Sequence, residues 1–251
     1  MRRFMKLLRD GETIEDLQRE GLKIIQKAKG FRFGVDAVLL SDFAKVKKGE
    51  RVMDFCSGTG IVPLLLWAKA APKEIVGLEI QEPFWEMAKR SVALNGLEEH
   101  IHMVHGDVKD EKGLKELGQF SVVTVNPPYK KEHSGIINEK DALTIARHEV
   151  LLSLEELIQS ARKVLKDQGR LYLIHRPERL IDLFTLMRKY RIEPKRLRMV
   201  YPNVKKAPTM VLVEGVRDGG AFLKVEAPLW IYDEDGTYSD EIRRIYGDDR
   251  R

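Results

Sequence analysis

The sequence predicts an α/β protein: a mostly parallel, doubly wound sheet of seven strands, with helices on both faces and an antiparallel ribbon at the carboxyl end. Three observations carry that expectation. From about residue 50, apolar runs of strand length alternate with segments of helical periodicity. A glycine-containing turn, Asp54-Phe55-Cys56-Ser57-Gly58-Thr59-Gly60, follows the first run. A second turn, Asn126-Pro127-Pro128-Tyr129, follows the fourth.

Residues 1–48 read as a leader that packs on or extends the core, and 49–251 as the main domain. In the leader, Phe31-Arg32-Phe33-Gly34-Val35-Asp36 runs into the apolar Ala37-Val38-Leu39-Leu40, a helix with Asp36 as its expected cap. Arg51–Phe55 reads as the first strand and Ile61–Lys69 as a helix. Glu74–Glu79 is the second strand, followed by a helix over Pro83–Asn95 with Pro at its start and Asn95-Gly96 at its end. Ile101–His105 is the third strand. Phe120–Asn126 is the fourth, almost continuously apolar, as suits a strand covered on both faces. A polar stretch from Lys130 to about Ala146 is long for a compact domain and suits a substrate-gating loop or plain surface chain. The next helix, Ser153–Lys166, opens with Ser153 and Glu156 spaced as a capping box and stops at Asp167-Gln168-Gly169. Arg170–His175 is a strand and Glu178–Tyr190 a helix. Leu197–Tyr201 and Met210–Val216 form the closing ribbon.

Composition narrows the function. No apolar run approaches the ~20 residues a bilayer helix needs. The start, Met1-Arg2-Arg3-Phe4-Met5-Lys6, lacks the apolar stretch of a secretory signal, so a cytoplasmic location is expected. One cysteine, Cys56, excludes an internal disulfide and a multi-cysteine zinc site, and no metal is expected. The formal charge is only +5. Its placement is more informative: Arg188, Lys189, Arg191, Lys195, Arg196, Arg198, Lys205 and Lys206 stand together with Glu193 as the one acid among them. That stretch fits a phosphate-binding footprint, with the solvated surface of a chain that is 33% charged as the alternative.

Ligands of such sheets bind beyond the carboxyl ends of the strands. Gly58 and Gly60 can take positive φ and let a nucleotide-like cofactor approach the backbone. Asp54 can accept from an ammonium group or order the loop. Glu79, at the end of the second strand, is placed to accept two ribose hydroxyls, with Ile80 beside it. Asp107 can accept an adenine amino group while the Val108 backbone N–H donates. A nicotinamide cofactor is disfavoured, because Pro63 stands where G-x-G-x-x-G needs its third glycine. At the second turn, the Asn126 side-chain oxygen and the Pro127 carbonyl offer two acceptors for the N–H groups of a planar amine. Pro128 stiffens the turn, and Tyr129 offers a face for stacking. This pairing suggests methyl transfer to nitrogen. Cys56 reads as a small loop residue, since no base stands beside it to make it a nucleophile.

Together these residues resemble the Rossmann-like class I methyltransferases, and more narrowly the bacterial tRNA1(Val) adenine-37 N6-methyltransferase family. The resemblance runs from Gly11-Glu12 and Asp16-Leu17 through Phe31–Leu40, Asp54–Gly60, Glu79, Asn126–Tyr129 and Arg147-His148-Glu149. It continues to Ala227-Pro228-Leu229 and Gly236-Thr237-Tyr238. It implies S-adenosylmethionine as donor and an N6 amine of tRNA as acceptor. Cofactor contacts then fall on Asp54, Cys56, Gly58, Gly60, Glu79, Ile80, Asp107, Val108 and Asn126, and the amine on Asn126, Pro127, Pro128 and Tyr129. Substrate contacts are expected at Phe33, Arg147, His148, Lys205 and Lys206. Cys56 departs from the family, which usually has glycine there. The Asn-Pro-Pro-Tyr turn also serves enzymes acting on DNA adenine, ribosomal-RNA guanine and release-factor glutamine. A protein glutamine N-methyltransferase and a non-catalytic RNA-binding module are therefore the competing readings. The leader is short for the former's helical domain, and intact Asp54, Glu79 and Asn126 argue against the latter. Monomer and dimer are both open.

Overall fold

The structure, a computed structural model, describes residues 7–29, 34–127 and 152–247. A leader hairpin comes first, β1 (Glu12–Asp16) and β2 (Lys23–Lys27), antiparallel with Glu12 opposite Lys27. Then follow α1 (Val35–Phe43), β3 (Arg51–Phe55), α2 (Ile61–Ala70), β4 (Glu74–Glu79), α3 (Glu82–Leu94), β5 (Ile101–His105), α4 (Glu111–Leu117) and β6 (Phe120–Val125). After the undescribed segment come α5 (Leu154–Val164), β7 (Leu165–His175), a 3-10 turn (Pro177–Arg179), α6 (Leu180–Lys189), β8 (Ile192–Tyr201) and β9 (Met210–Arg217). The two-residue strands β10 (Lys224–Val225) and β11 (Leu229–Trp230) and the helix α7 (Asp240–Tyr246) finish the chain.

The main sheet runs β10-β8-β9-β7-β6-β3-β4-β5, with β11 also on β8. β5, β4, β3, β6 and β7 are parallel, and β9 is antiparallel to both β7 and β8. The seven expected strands form its body, and β10 and β11 add two short strands at the ribbon edge. Chain order reverses at β3, which pairs β4 on one side and β6 on the other, so the crevice lies above the β3–β6 pair. The sheet is covered on both faces. Val38, Leu64 and Val92 carry α1, α2 and α3 into one apolar cluster, while Leu114, Leu157 and Leu183 carry α4, α5 and α6 into the other. The six residues of β6 are all buried, which explains the nearly continuous apolar run.

Several expectations change. Gly34, not Asp36, takes the cap position of α1, and Asp36 lies buried in the first turn. The capping box of Ser153 and Glu156 forms, but α5 ends at Val164. β7 begins at Leu165, and the Asp167-Gln168-Gly169 stop becomes an irregularity inside the strand. β8 begins at Ile192, five residues before Leu197. The leader hairpin, α4 and α7 have no counterpart in the sequence reading. The helix-entry segment Phe31–Phe33 and the proposed gating loop lie outside the described residues. No described helix is long and apolar enough to cross a membrane.

Candidate active site at the carboxyl edge

The parallel strands deliver the expected residues to one edge. Asp54 is the fourth residue of β3, and Glu79 ends β4. Asp107 follows β5, and Asn126 follows β6. β9 enters the sheet at this edge and β8 leaves it there, so the connecting segment with Lys205 and Lys206 stands on the same side. Both lysines are exposed. Phe33, Pro128, Tyr129, Arg147 and His148 lie outside the described residues.

Asp54 is 1% exposed and accepts two hydroxyl hydrogen bonds, from Thr124 Oγ1 at 2.6 Å and Ser57 Oγ at 2.7 Å. Of the two roles left open for it, this geometry is the loop-ordering one: the carboxyl ties β3 to β6 and to its own loop. Burial pushes its pKa up to about 7, against the two hydroxyl bonds, and the nearby Glu79 charge adds to the rise. Ser57 and Thr124 escaped the sequence reading. Their signal was there, since Thr124 is a polar residue inside an apolar strand and Ser57 stands three residues after Asp54.

The loop is bent by positive φ. Gly58 has φ +55° and Gly60 +85°, and a Cβ on Gly60 would lie 3.2 Å from Ala88 Cβ in α3. Cys56 also sits in the left-handed region, at φ +57°. That is the conformation glycine adopts without cost and another residue adopts at ~1–2 kcal/mol. The departure from glycine is thus accommodated with backbone strain at this position. Burial, then the charges of Glu79, Asp54 and Asp107, push the Cys56 thiol well up, so it stays protonated. The thiol is no nucleophile.

Glu79, 4% exposed, braces the crevice wall. Its Oε2 accepts the Gly58 N–H at 2.8 Å and its Oε1 the Gln81 N–H at 2.9 Å. Each carboxylate oxygen has two lone pairs, so each bond leaves one for a further donor. Ile80, 45% exposed, projects from the rim. Asp107 is half-buried and accepts the Lys109 N–H at 2.8 Å, with Val108 buried beside it. His105 and Trp85, two further residues missed in the sequence, stack at 5.2 Å. His105 Nε2 lies 3.0 Å from the Ile80 carbonyl, bracing the ends of β4 and β5.

At the second turn Pro127 is buried and Asn126 half-buried. Asn126 Oδ1 is buried and has no hydrogen-bond partner among the described residues. Buried side-chain oxygens are rarely left so, because an unmade hydrogen bond costs about 1–3 kcal/mol. The atom is therefore an acceptor with unused capacity among the described residues.

The basic stretch divides. Arg188 pairs with Glu193, Lys189 with Glu155, Arg191 with Asp218, and Arg198 with Glu241. Arg196 pairs with Glu214 at 2.6 Å and Glu226 at 2.8 Å, and Lys195 Nζ donates to the Gly220 carbonyl. Lys195, Arg196 and Arg198 fasten the ribbon to its surroundings, while Arg188, Lys189 and Arg191 make ion pairs that leave their side chains more than half exposed. Among the described residues, Lys205 and Lys206 have no ion pair.

Fold and site together define a methyltransferase: the family model described as "Methyltransferase small domain" matches residues 34–189. By sequence, the chain is similar to the tRNA1(Val) (adenine(37)-N6)-methyltransferase of Porphyromonas gingivalis, 32% identical over 197 residues, covering 76% of each chain. The enzyme of that name from Tolumonas auensis is 26% identical over 228 residues, covering 87% of this chain and 90% of its own. The chain belongs to this tRNA1(Val) (adenine(37)-N6)-methyltransferase family. Among solved structures, a predicted O-methyltransferase from Agrobacterium tumefaciens shares the fold with a TM-score of 0.68. It is 21% identical, and the match covers 85% of this chain and 96% of that one.

Proposed function

We propose that this chain transfers the methyl group of S-adenosylmethionine to the N6 amine of an adenine in tRNA. The observation that carries the reading is the unpartnered, buried Asn126 Oδ1 on the strand next to the Asp54–Gly60 loop. Membership of a family whose relatives bear this activity in their names supports it. Glu79 would hold the ribose hydroxyls, Asp107 and the Val108 N–H the adenine, and the Gly58–Gly60 backbone the close side of the donor, with Cys56 and Ile80 lining it. Asp54 would support this loop from beneath.

When bound, S-adenosylmethionine supplies a methyl carbon already activated as a sulfonium. The chain's task is then to ready a poor nucleophile, since the lone pair of an exocyclic amine is delocalised into its ring. Asn126 Oδ1 and the Pro127 carbonyl accept the two N–H groups and draw the nitrogen toward tetrahedral geometry, which exposes the lone pair. Pro127 fixes those acceptors in advance, and Pro128 and Tyr129 are expected to stiffen the turn and to give a stacking face for the base. The proton shed by nitrogen leaves to water.

The direct test offers labelled donor with separate RNA, DNA and protein pools, then nucleoside mass spectrometry. N6-methyladenosine is expected in tRNA, with position 37 of tRNA1(Val) the first site to examine; label in protein alone would defeat the reading. Asn126→Ala should lower turnover by at least about 10²-fold, the scale of losing one preorganised polar contact to the reacting group, with donor affinity by calorimetry kept. Parallel loss of donor affinity would move Asn126 from the amine to the cofactor.

A further inference from the structure

We infer that the leader hairpin carries a second nucleic-acid contact, Lys27 and Lys29, so that the substrate backbone is gripped on both sides of the Asn126 turn. The inference rests on the reading of the substrate as RNA. It starts from how β2 lies on α3. At the far end of the helix, the Asn95 side chain accepts the Lys23 N–H at 2.9 Å and donates to the Lys23 carbonyl at 2.7 Å. Midway, Ser91 Oγ accepts the Ile25 N–H at 3.0 Å. At the near end, Lys27 Nζ stands 5.5 Å from the centre of the Phe84 ring. β2 therefore runs antiparallel to α3 and finishes at its first turn.

That first turn is part of the candidate site. α3 starts directly after β4, with its cap residue Gln81 bonded to Glu79. Lys27 and Lys29 thus emerge at the carboxyl edge, beside the strand that carries Glu79. Both are exposed, and neither has an ion pair among the described residues. Of the acids around them, Glu12 is compensated by Arg90 and Glu86 by Arg9, while Glu82 and Asp10, which the hairpin register sets opposite Lys29, stay exposed.

Lys205 and Lys206 stand at the other end of the same edge, after β8. Between β4 and β9 lie four strand spacings, about 19 Å at 4.7–4.9 Å each, with the β6 turn near the middle. A run of roughly five or six stacked nucleotides spans that distance at ~3.4 Å each. A polyanion with a base in the crevice can meet one lysine pair on each flank. A small-molecule or protein acceptor has no need of two such pairs.

The test is the salt dependence of binding to an unmodified tRNA1(Val) transcript by the full chain. Each phosphate contact adds about 0.7–0.9 to the slope of log affinity against log salt. Lys27→Gln/Lys29→Gln should flatten the slope by roughly 1.5, while Lys27→Arg/Lys29→Arg keeps it and calorimetric donor affinity is unchanged in both. Lys47→Gln/Lys48→Gln, an exposed pair just before β3 on the opposite edge, should leave the slope as it was. An unaltered slope in the hairpin variant, or equal flattening in both pairs, would overturn the second contact and leave the methyl-transfer reading standing. No binding of the transcript by the unaltered chain would overturn both.

Discussion

Asp54 is a carboxyl group with almost no contact with water, so its ionisation is set by what surrounds it: two hydroxyl donors, Glu79, and apolar strand. An unfolded aspartate titrates near 3.8, and burial raises Asp54 to about 7. Between those values the folded chain binds the proton more tightly than the unfolded chain does. The associated stability is complete below about pH 4 and is lost as pH rises toward 7. Asn in its place keeps an acceptor for Thr124 and cannot ionise. Asp54→Asn should therefore remove this part of the pH dependence. Between pH 5 and 8 the parent should lose stability relative to the variant, on the order of a few kcal/mol at about 1.4 kcal/mol per pKa unit, read as a falling Tm. Parallel Tm curves across that range would show that the carboxylate is already ionised in the fold.

At the scale of elements, the leader hairpin is held by the buried Leu17, Leu22, Ile24 and Ile25 and by one bidentate pair. Arg90 donates to both Glu12 oxygens, at 2.5 and 2.7 Å, and to the Leu7 carbonyl at 2.6 Å. The Arg90 hydrogen bond holds the Glu12 carboxyl below its usual range, so the contribution is present above about pH 4.5 and lost in acid. Arg90→Leu leaves Glu12, whose side chain is 7% exposed, without its cation, at a cost of about 3 kcal/mol. Amide exchange over Lys23–Lys27 should accelerate while β3 to β7 keep their protection; uniform acceleration would mean that hairpin and sheet open together. The same contrast explains what was legible beforehand. β3, β4, β6 and the second half of β7 announce themselves because both faces are buried and the apolar runs are nearly continuous. Glu-Thr-Ile-Glu-Asp and Lys-Ile-Ile-Gln-Lys do not, because their pairing depends on Arg90, Ser91 and Asn95, more than sixty residues away. α4 hides for a different reason: it is seven residues long, largely polar, and has Gly113 inside it. At the site, the four strand-end residues were readable from chain order, whereas the partners of Asp54 needed the β3–β6 register.

For the whole molecule, a net charge of +5 matters less than which cations remain uncommitted. The acids that neutralise the Arg188–Arg198 stretch are scattered at Glu155, Glu193, Glu214, Asp218, Glu226 and Glu241, five of them outside it, so the linear sequence could not distinguish a ribbon fastening from a binding surface. With the fastenings set aside, two lysine pairs flank the β6 turn on this edge, and Lys109 stands singly after β5. Sites separated by more than 7–10 Å without shared partners contribute additively. Lys205→Ala/Lys206→Ala should flatten the salt dependence of RNA binding by about the same amount as the hairpin pair, and the combined four-lysine variant by roughly twice that, about 3. KM for tRNA should rise steeply at physiological salt, while kcat at saturating tRNA in low salt holds, because neither pair touches the amine. A combined variant no flatter than either pair alone would mean that both pairs compete for one phosphate. A fall in kcat under saturation would instead bring one pair into the chemical step, and the crevice would have to be narrower than the strand spacing implies.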